Sequence, residues 1–111
     1  MNCLFCGIVD GTIPGTVVLE TDRVLAFRDI APAAPTHVLV VPKEHHEDLA
    51  ALVAADPAFV GEVFAAAVEV ARLEGLESGY RILTNTGPDS GRTVFHLHVH
   101  VLGGKAMGHV A

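Results

Sequence analysis

Between Cys3 and Gly104 the apolar positions change period several times, and each change marks an element. Residues 3–9 (Cys-Leu-Phe-Cys-Gly-Ile-Val) form a short apolar stretch that predicts a single helical turn, closed by the turn signals Asp10-Gly11 and Pro14-Gly15. Val17 to Glu20 and Val24 to Arg28 are short apolar runs split by Thr21-Asp22-Arg23, a pattern that predicts a hairpin. The prolines of Ala31-Pro32-Ala33-Ala34-Pro35 exclude helix and central strand there. His37 to Val41 is rich in β-branched residues and ends at Pro42, which predicts a strand.

Helical spacing follows. Glu47 to Ala55 predicts a short helix, and Asp56-Pro57 restarts the chain as N-cap and first-turn proline. Val60, Val63, Phe64, Ala67, Val68 and Ala71 then repeat at the helical period until Gly75. Tyr80 to Thr84 predicts a strand, 87–91 a loop, and Val94 to Leu102 a last long strand broken by Gly103-Gly104. The sum is an α+β fold in a single domain spanning 1–111: a five-stranded antiparallel sheet with a long helix and a short helix. The connections are too short for parallel neighbours.

Composition narrows the function classes. Half of the 111 residues are hydrophobic and 18% are charged, enough apolar material for a buried core. Seven basic against thirteen acidic residues give a net charge of −6, which disfavours non-specific binding to nucleic acid. No stretch approaches the roughly 18 apolar residues of a membrane span, and residues 1–20 lack the pattern of a secretory signal. With only Cys3 and Cys6, a disulfide-stapled secreted domain is also disfavoured. The expectation is a soluble, cytoplasmic protein without a nucleic-acid or membrane partner.

The unusual chemistry is histidine. Five of the seven fall in two groups, His45-His46 and His96, His98, His100. In an extended segment the last three share one face while Leu97, Val99 and Val101 take the other. Burial of the apolar face fixes that register. Such a row suits either a metal centre or nucleophilic catalysis, since an imidazole with a pKa of about 6.5 keeps a neutral fraction at physiological pH. Cys3-Leu4-Phe5-Cys6, read alone, is a redox pair or two reduced thiols.

His96-Leu97-His98-Val99-His100-Val101-Leu102 resembles the signature of the histidine-triad (HIT) superfamily. Phe27-Arg28-Asp29-Ile30, the run Pro35 to Lys43, Asn85-Thr86-Gly87 and Gly91 to Phe95 resemble the family's other blocks, in order. The ending Val101-Leu102-Gly103-Gly104 resembles the Hint-like branch, the nucleoside phosphoramidases. The likeness runs over residues 3–107.

The resemblance implies a hydrolase or transferase acting at the α-phosphate of a purine nucleotide. His98 is then the nucleophile that forms a nucleotidyl-imidazole intermediate. His100 protonates the leaving group as an imidazolium, and His37 supports it from the neighbouring strand. Asn85, Gly91 and Thr93 match phosphate-binding positions, and Asp29 matches the ribose-binding carboxylate. Phe5, Ile8, Ile13, Phe27 and Leu39 match the base pocket, for which core packing is an equal reading.

Relatives that carry such a Cys pair hold a structural zinc. Here the matching ligands are Cys3, Cys6, His45 (of Pro42-Lys43-Glu44-His45) and His96, with His46 the rival to His45. The resemblance further implies a homodimer meeting through the helix 57–74 and the strand 80–85. Arg92 stands where glutamine is more usual, and Thr93 stands where serine is common. The end, Met107 to Ala111, lacks the tryptophan of better-studied Hint members. The competing functions are hydrolysis of dinucleoside polyphosphates, nucleotide-dependent regulation with vestigial catalysis, and a catalytic zinc held by the three histidines.

Overall fold

The computed structural model describes residues 3–109, so the tryptophan-less end is described only as far as His109. In chain order the elements are α1 (Leu4–Asp10), β1 (Val17–Glu20), β2 (Val24–Arg28), β3 (Thr36–Pro42), α2 (Leu49–Ala55), α3 (Pro57–Leu73), β4 (Tyr80–Leu83) and β5 (Val99–Gly103), with one 3₁₀ turn at Pro88–Ser90. The strands form an antiparallel sheet in the order β1-β2-β3-β5-β4. This is the expected α+β architecture, with three helices where a long and a short one were predicted.

Period-two alternation divides β2, β3 and β5 between two apolar layers. Val24, Ala26, Val38, Val40, Val99 and Val101 pack under α2 and α3 against Leu52, Phe59, Val63 and Val70. The intervening Leu25, Phe27, Leu39 and Val41 face the opposite side and pack with Phe5 of α1. Both faces of the central strands are therefore covered, and His37, His98 and His100 lie on the α1 side.

The N-terminal segment is more ordered than a single turn. The Cys3 thiol accepts from the Cys6 N–H at 3.3 Å, and Gly11 closes the helix at φ +85° with its N–H bonded to the Ile8 carbonyl. A side chain at Gly7 would overlap Ile13, so glycine there lets the following loop fold back on α1.

The last strand is shorter than predicted. Ladder pairing begins at Val99 opposite Val40, and residues 94–98 run unpaired ahead of it. Instead the Leu97 N–H donates to the His46 carbonyl at 2.7 Å. The face alternation nevertheless continues back through Leu97, which joins Val99 and Val101 in the core under α3. The helix predicted from Glu47 starts at Leu49, because Asp48 is its N-cap and accepts from the Ala51 N–H at 2.9 Å. Among the described residues no helix is long and apolar enough to cross a membrane.

Candidate functional site

Hydrogen bonds assign a tautomer to each histidine of the row. The Ala33 N–H donates to His37 Nδ1 at 3.0 Å, so the His37 proton sits on Nε2. That proton points at His100 Nδ1, 2.9 Å away, which leaves the His100 proton on its own Nε2. His100 Nε2 is buried and has no hydrogen-bond partner among the described residues. In parallel, His98 Nδ1 donates to the His96 carbonyl at 2.8 Å, so His98 Nε2 carries a bare lone pair. The centres of the His98 and His100 rings are 4.9 Å apart. The site thus presents one bare ring nitrogen beside one donor without a partner among the described residues.

Electrostatics follows from burial. Burial, reinforced by His98 and His37 and opposed by Asp29, holds His100 at about 4. His37 is also pushed below its ordinary value by burial, against the pull of Asp29, whose Oδ2 lies 3.6 Å from its Nε2. Both rings therefore favour the neutral form at pH 7 in the free protein. Asp29 and these two histidines also lie close enough to hold a cation. The Ala33 donor, however, keeps the proton on the nitrogen that would have to ligate.

Next to the row lies a cavity of about 320 Å³. Its wall contains Phe5, Ile8, Ile13, Phe27 and Leu39, together with Asp29 and Thr93. Phe5, Phe27 and Leu39 also belong to the core layer on the α1 side. Ile30, almost wholly exposed, lines the rim and was not anticipated. Phe5 stands edge-on to Phe27 and to His98, with centroids 5.3 and 5.1 Å apart. Asn85 and Gly91 do not line the cavity. Asn85 follows Thr84, whose hydroxyl donates to the His98 carbonyl at 2.9 Å.

His96 turns away from its two companions and is fully buried. Its Nε2 donates to the Pro42 carbonyl at 2.8 Å, so its Nδ1 lone pair faces the Cys3 and Cys6 sulfurs at 3.3 and 3.4 Å. His45 Nδ1 lies 3.3 Å from the Cys6 sulfur. All four donor atoms fall within 4.8 Å of one another. Tetrahedral zinc, with bonds of about 2.3 Å to sulfur and about 2.0 Å to nitrogen, needs S···N edges near 3.5 Å. The donor set is that of a closed, structural zinc site. Burial and the neighbouring Cys3 thiol push the Cys6 thiol up to about 11, so its sulfur ligates a cation by giving up that proton. His46 is no ligand here and bonds Glu44 at 2.9 Å. The three triad imidazoles do not converge on one point, as a catalytic zinc would require.

Arg92 is not turned to the cavity. Its guanidinium is buried against Glu47 (2.7 Å) and Asp48 (3.0 Å), with Nε unpartnered, and lies 4.7 Å from the centre of the Phe95 ring. This clamp joins the loop before the histidines to the cap of α2. Its partners lie 44 and 45 residues away, so no local signal announces it.

The HIT domain family profile matches residues 10–107. The chain belongs to the HIT family. A 14 kDa zinc-binding protein of Zea mays is 46% identical over 107 residues, covering 94% of this chain and 83% of the relative. Among solved structures, a HIT family hydrolase from Clostridium thermocellum superposes with a TM-score of 0.93 at 44% identity, covering 98% of this chain and 96% of that one. A histidine triad nucleotide-binding protein from Candida albicans superposes at 0.84 with 28% identity, covering 99% and 84%. The HIT protein described here therefore shares its architecture with hydrolases of the family, with the zinc donor set in place.

Proposed function

We propose that this HIT protein cleaves the P–N bond, or a related bond, at the α-phosphate of a purine nucleoside phosphoramidate or adenylylated compound. The observation that carries the reading is the pairing of a bare His98 Nε2 with the unpartnered donor of His100. The hydrolase and nucleotide-binding relatives support it.

The His98 Nε2 lone pair attacks phosphorus, a P–N bond to the imidazole forms, and the bond to the amine breaks. The anionic phosphoryl group, set against His100, raises that ring's proton affinity, so the ring takes up a proton from solvent as substrate binds. The departing amine takes this proton. Water then attacks phosphorus and gives up a proton to the His100 Nε2 that the amine left bare, the P–imidazole bond breaks, and the nucleoside monophosphate leaves. Splitting the displacement in two lowers each barrier. His37 orients His100 through the bond relayed from Ala33. Thr93 and Asn85 donate to phosphate oxygens and Gly91 shapes their loop, while Asp29 accepts from the ribose hydroxyls. The apolar cavity takes the base by stacking and exclusion of water.

Zinc bound by Cys3, Cys6, His45 and His96 supplies a structural crosslink, and no reaction step passes through it. Two copies meet through α3 and β4, where Val68, Leu73 and Tyr80 lie exposed. The test is a comparison of rates on an adenosine phosphoramidate and on diadenosine tetraphosphate. At least tenfold faster turnover of the phosphoramidate is expected; the reverse order would place the protein among the polyphosphate hydrolases.

A further inference from the structure

The zinc donor set is built into the site rather than set apart from it. Cys3 and Cys6 bracket Phe5 in the first turn of α1. Phe5 is the residue of that turn that stands edge-on to the His98 ring at 5.1 Å and also walls the cavity. Leu4, next to it, lines the same cavity, as does Ile8 one turn on. From the other side, His96 contributes its side chain to the donor set and its carbonyl to His98 Nδ1. Both thiols and the buried imidazole therefore connect to the nucleophile by a single residue or a single hydrogen bond.

Phe5 also packs with Leu25, Phe27, Leu39 and Val41, and Leu97 anchors the histidine segment in the core. Residues 94–98 lie outside the sheet ladder, and the Leu97–His46 bond ties them to the segment that carries His45. Among the described residues, α1 is the helix that lines this cavity. Without a crosslink, a helix of seven residues would rest on the apolar contacts of Phe5 and its neighbours, and short helices are marginal by themselves.

We infer that Cys3, Cys6 and His96 are positioning residues for the reaction. Metal at this set fixes the His96 carbonyl that selects the His98 tautomer and holds the Phe5 wall against the base, so metal loading governs nucleotide affinity and nucleophile alignment together. This rests on the reading of His98 as nucleophile and of the cavity as the base site. Loss of the metal leaves the His37–His100 relay untouched, because Ala33 and β3 hold it.

The test uses the full chain loaded with zinc, the same protein stripped by a chelator, and a Phe5→Leu variant that keeps all four ligands. AMP affinity is measured by calorimetry, and the His98 tautomer is read from the ¹⁵N shifts of histidine-labelled protein, with circular dichroism to follow folding. In stripped, folded protein AMP binding is expected to weaken at least tenfold, and the His98 signals to move to a tautomer mixture, while those of His37 stay in place. Adding zinc back restores both. Unchanged affinity, or weaker binding with an unchanged His98 tautomer, overturns the inference.

Should the stripped chain unfold, Phe5→Leu decides. Weaker AMP binding together with a shifted His98 signal supports the coupling, and wild-type behaviour in either readout overturns it. If the zinc-loaded protein itself fails to bind AMP, the reading of the nucleotide site fails and takes the inference with it. That result is distinct from equal binding with and without metal.

Discussion

His98 Nδ1 lies 2.8 Å from the main-chain carbonyl of His96, and that bond selects a single tautomer of His98. A carbonyl only accepts, so the proton stays on Nδ1 and the opposite nitrogen keeps its lone pair. The arrangement of the site follows from this bond and from its counterpart at His37.

Removing either member of the relay tests the second half of the site. His100→Ala loses the donor to the phosphoryl group and the proton source for the amine, and kcat should fall by about 10²–10⁴. His37→Ala leaves His100 in place but frees its orientation, for a smaller loss of about 10–100-fold, the scale of an orienting partner. Equal rates for His37→Ala and wild type would break the relay.

Histidines kept neutral by burial make stability depend on pH. His100 falls to about 4 in the folded chain, and His37 falls in the same direction. The unfolded chain, with imidazoles near 6.5, then binds more protons between about pH 4 and 6.5. Stability is full above that window and declines as pH drops through it. Thermal melts of wild type and His100→Gln from pH 7.5 to 4.5 should show a shallower decline in the variant. Parallel curves would mean that burial does not perturb His100.

How far the sequence discloses this design depends on the range of each interaction. The faces of β2, β3 and β5, and with them the sorting of Leu97, Val99 and Val101 from the histidines, are written in a two-residue period and survive folding intact. The helices are legible from the same kind of local signal, although α2 begins two residues late because Asp48 is its cap. The extent of the last strand is not. Residues 94–98 have strand composition but no ladder partner, and sequence alone carries no count of partners. Nor is the protonation of His100, which burial sets, or the clamp of Arg92, which reaches across the chain.

Arg92 should matter to stability more than a surface arginine. Its side chain and that of Asp48 are both nearly buried, at 8% and 12% exposure. Arg92→Met strands an acid beside the α2 cap, and the expected loss is about 1–3 kcal/mol, read from urea melts. An effect under about 0.5 kcal/mol would be that of an ordinary surface pair.

Leu97 tests the register of the histidine row. It is 2% exposed in the core under α3. Leu97→Ala should destabilise by about 2–5 kcal/mol through the lost methylenes and the cavity left behind. A loss below about 1 kcal/mol would show that the row is held by something other than its apolar face.

The most direct test of the whole account is intact-protein and peptide mass spectrometry of protein quenched shortly after mixing with an adenosine phosphoramidate. A mass gain of one AMP, mapped to His98 and absent from His98→Ala, is the predicted result. Steady turnover by His98→Ala, or an adduct on another residue, would contradict the assignment of the nucleophile.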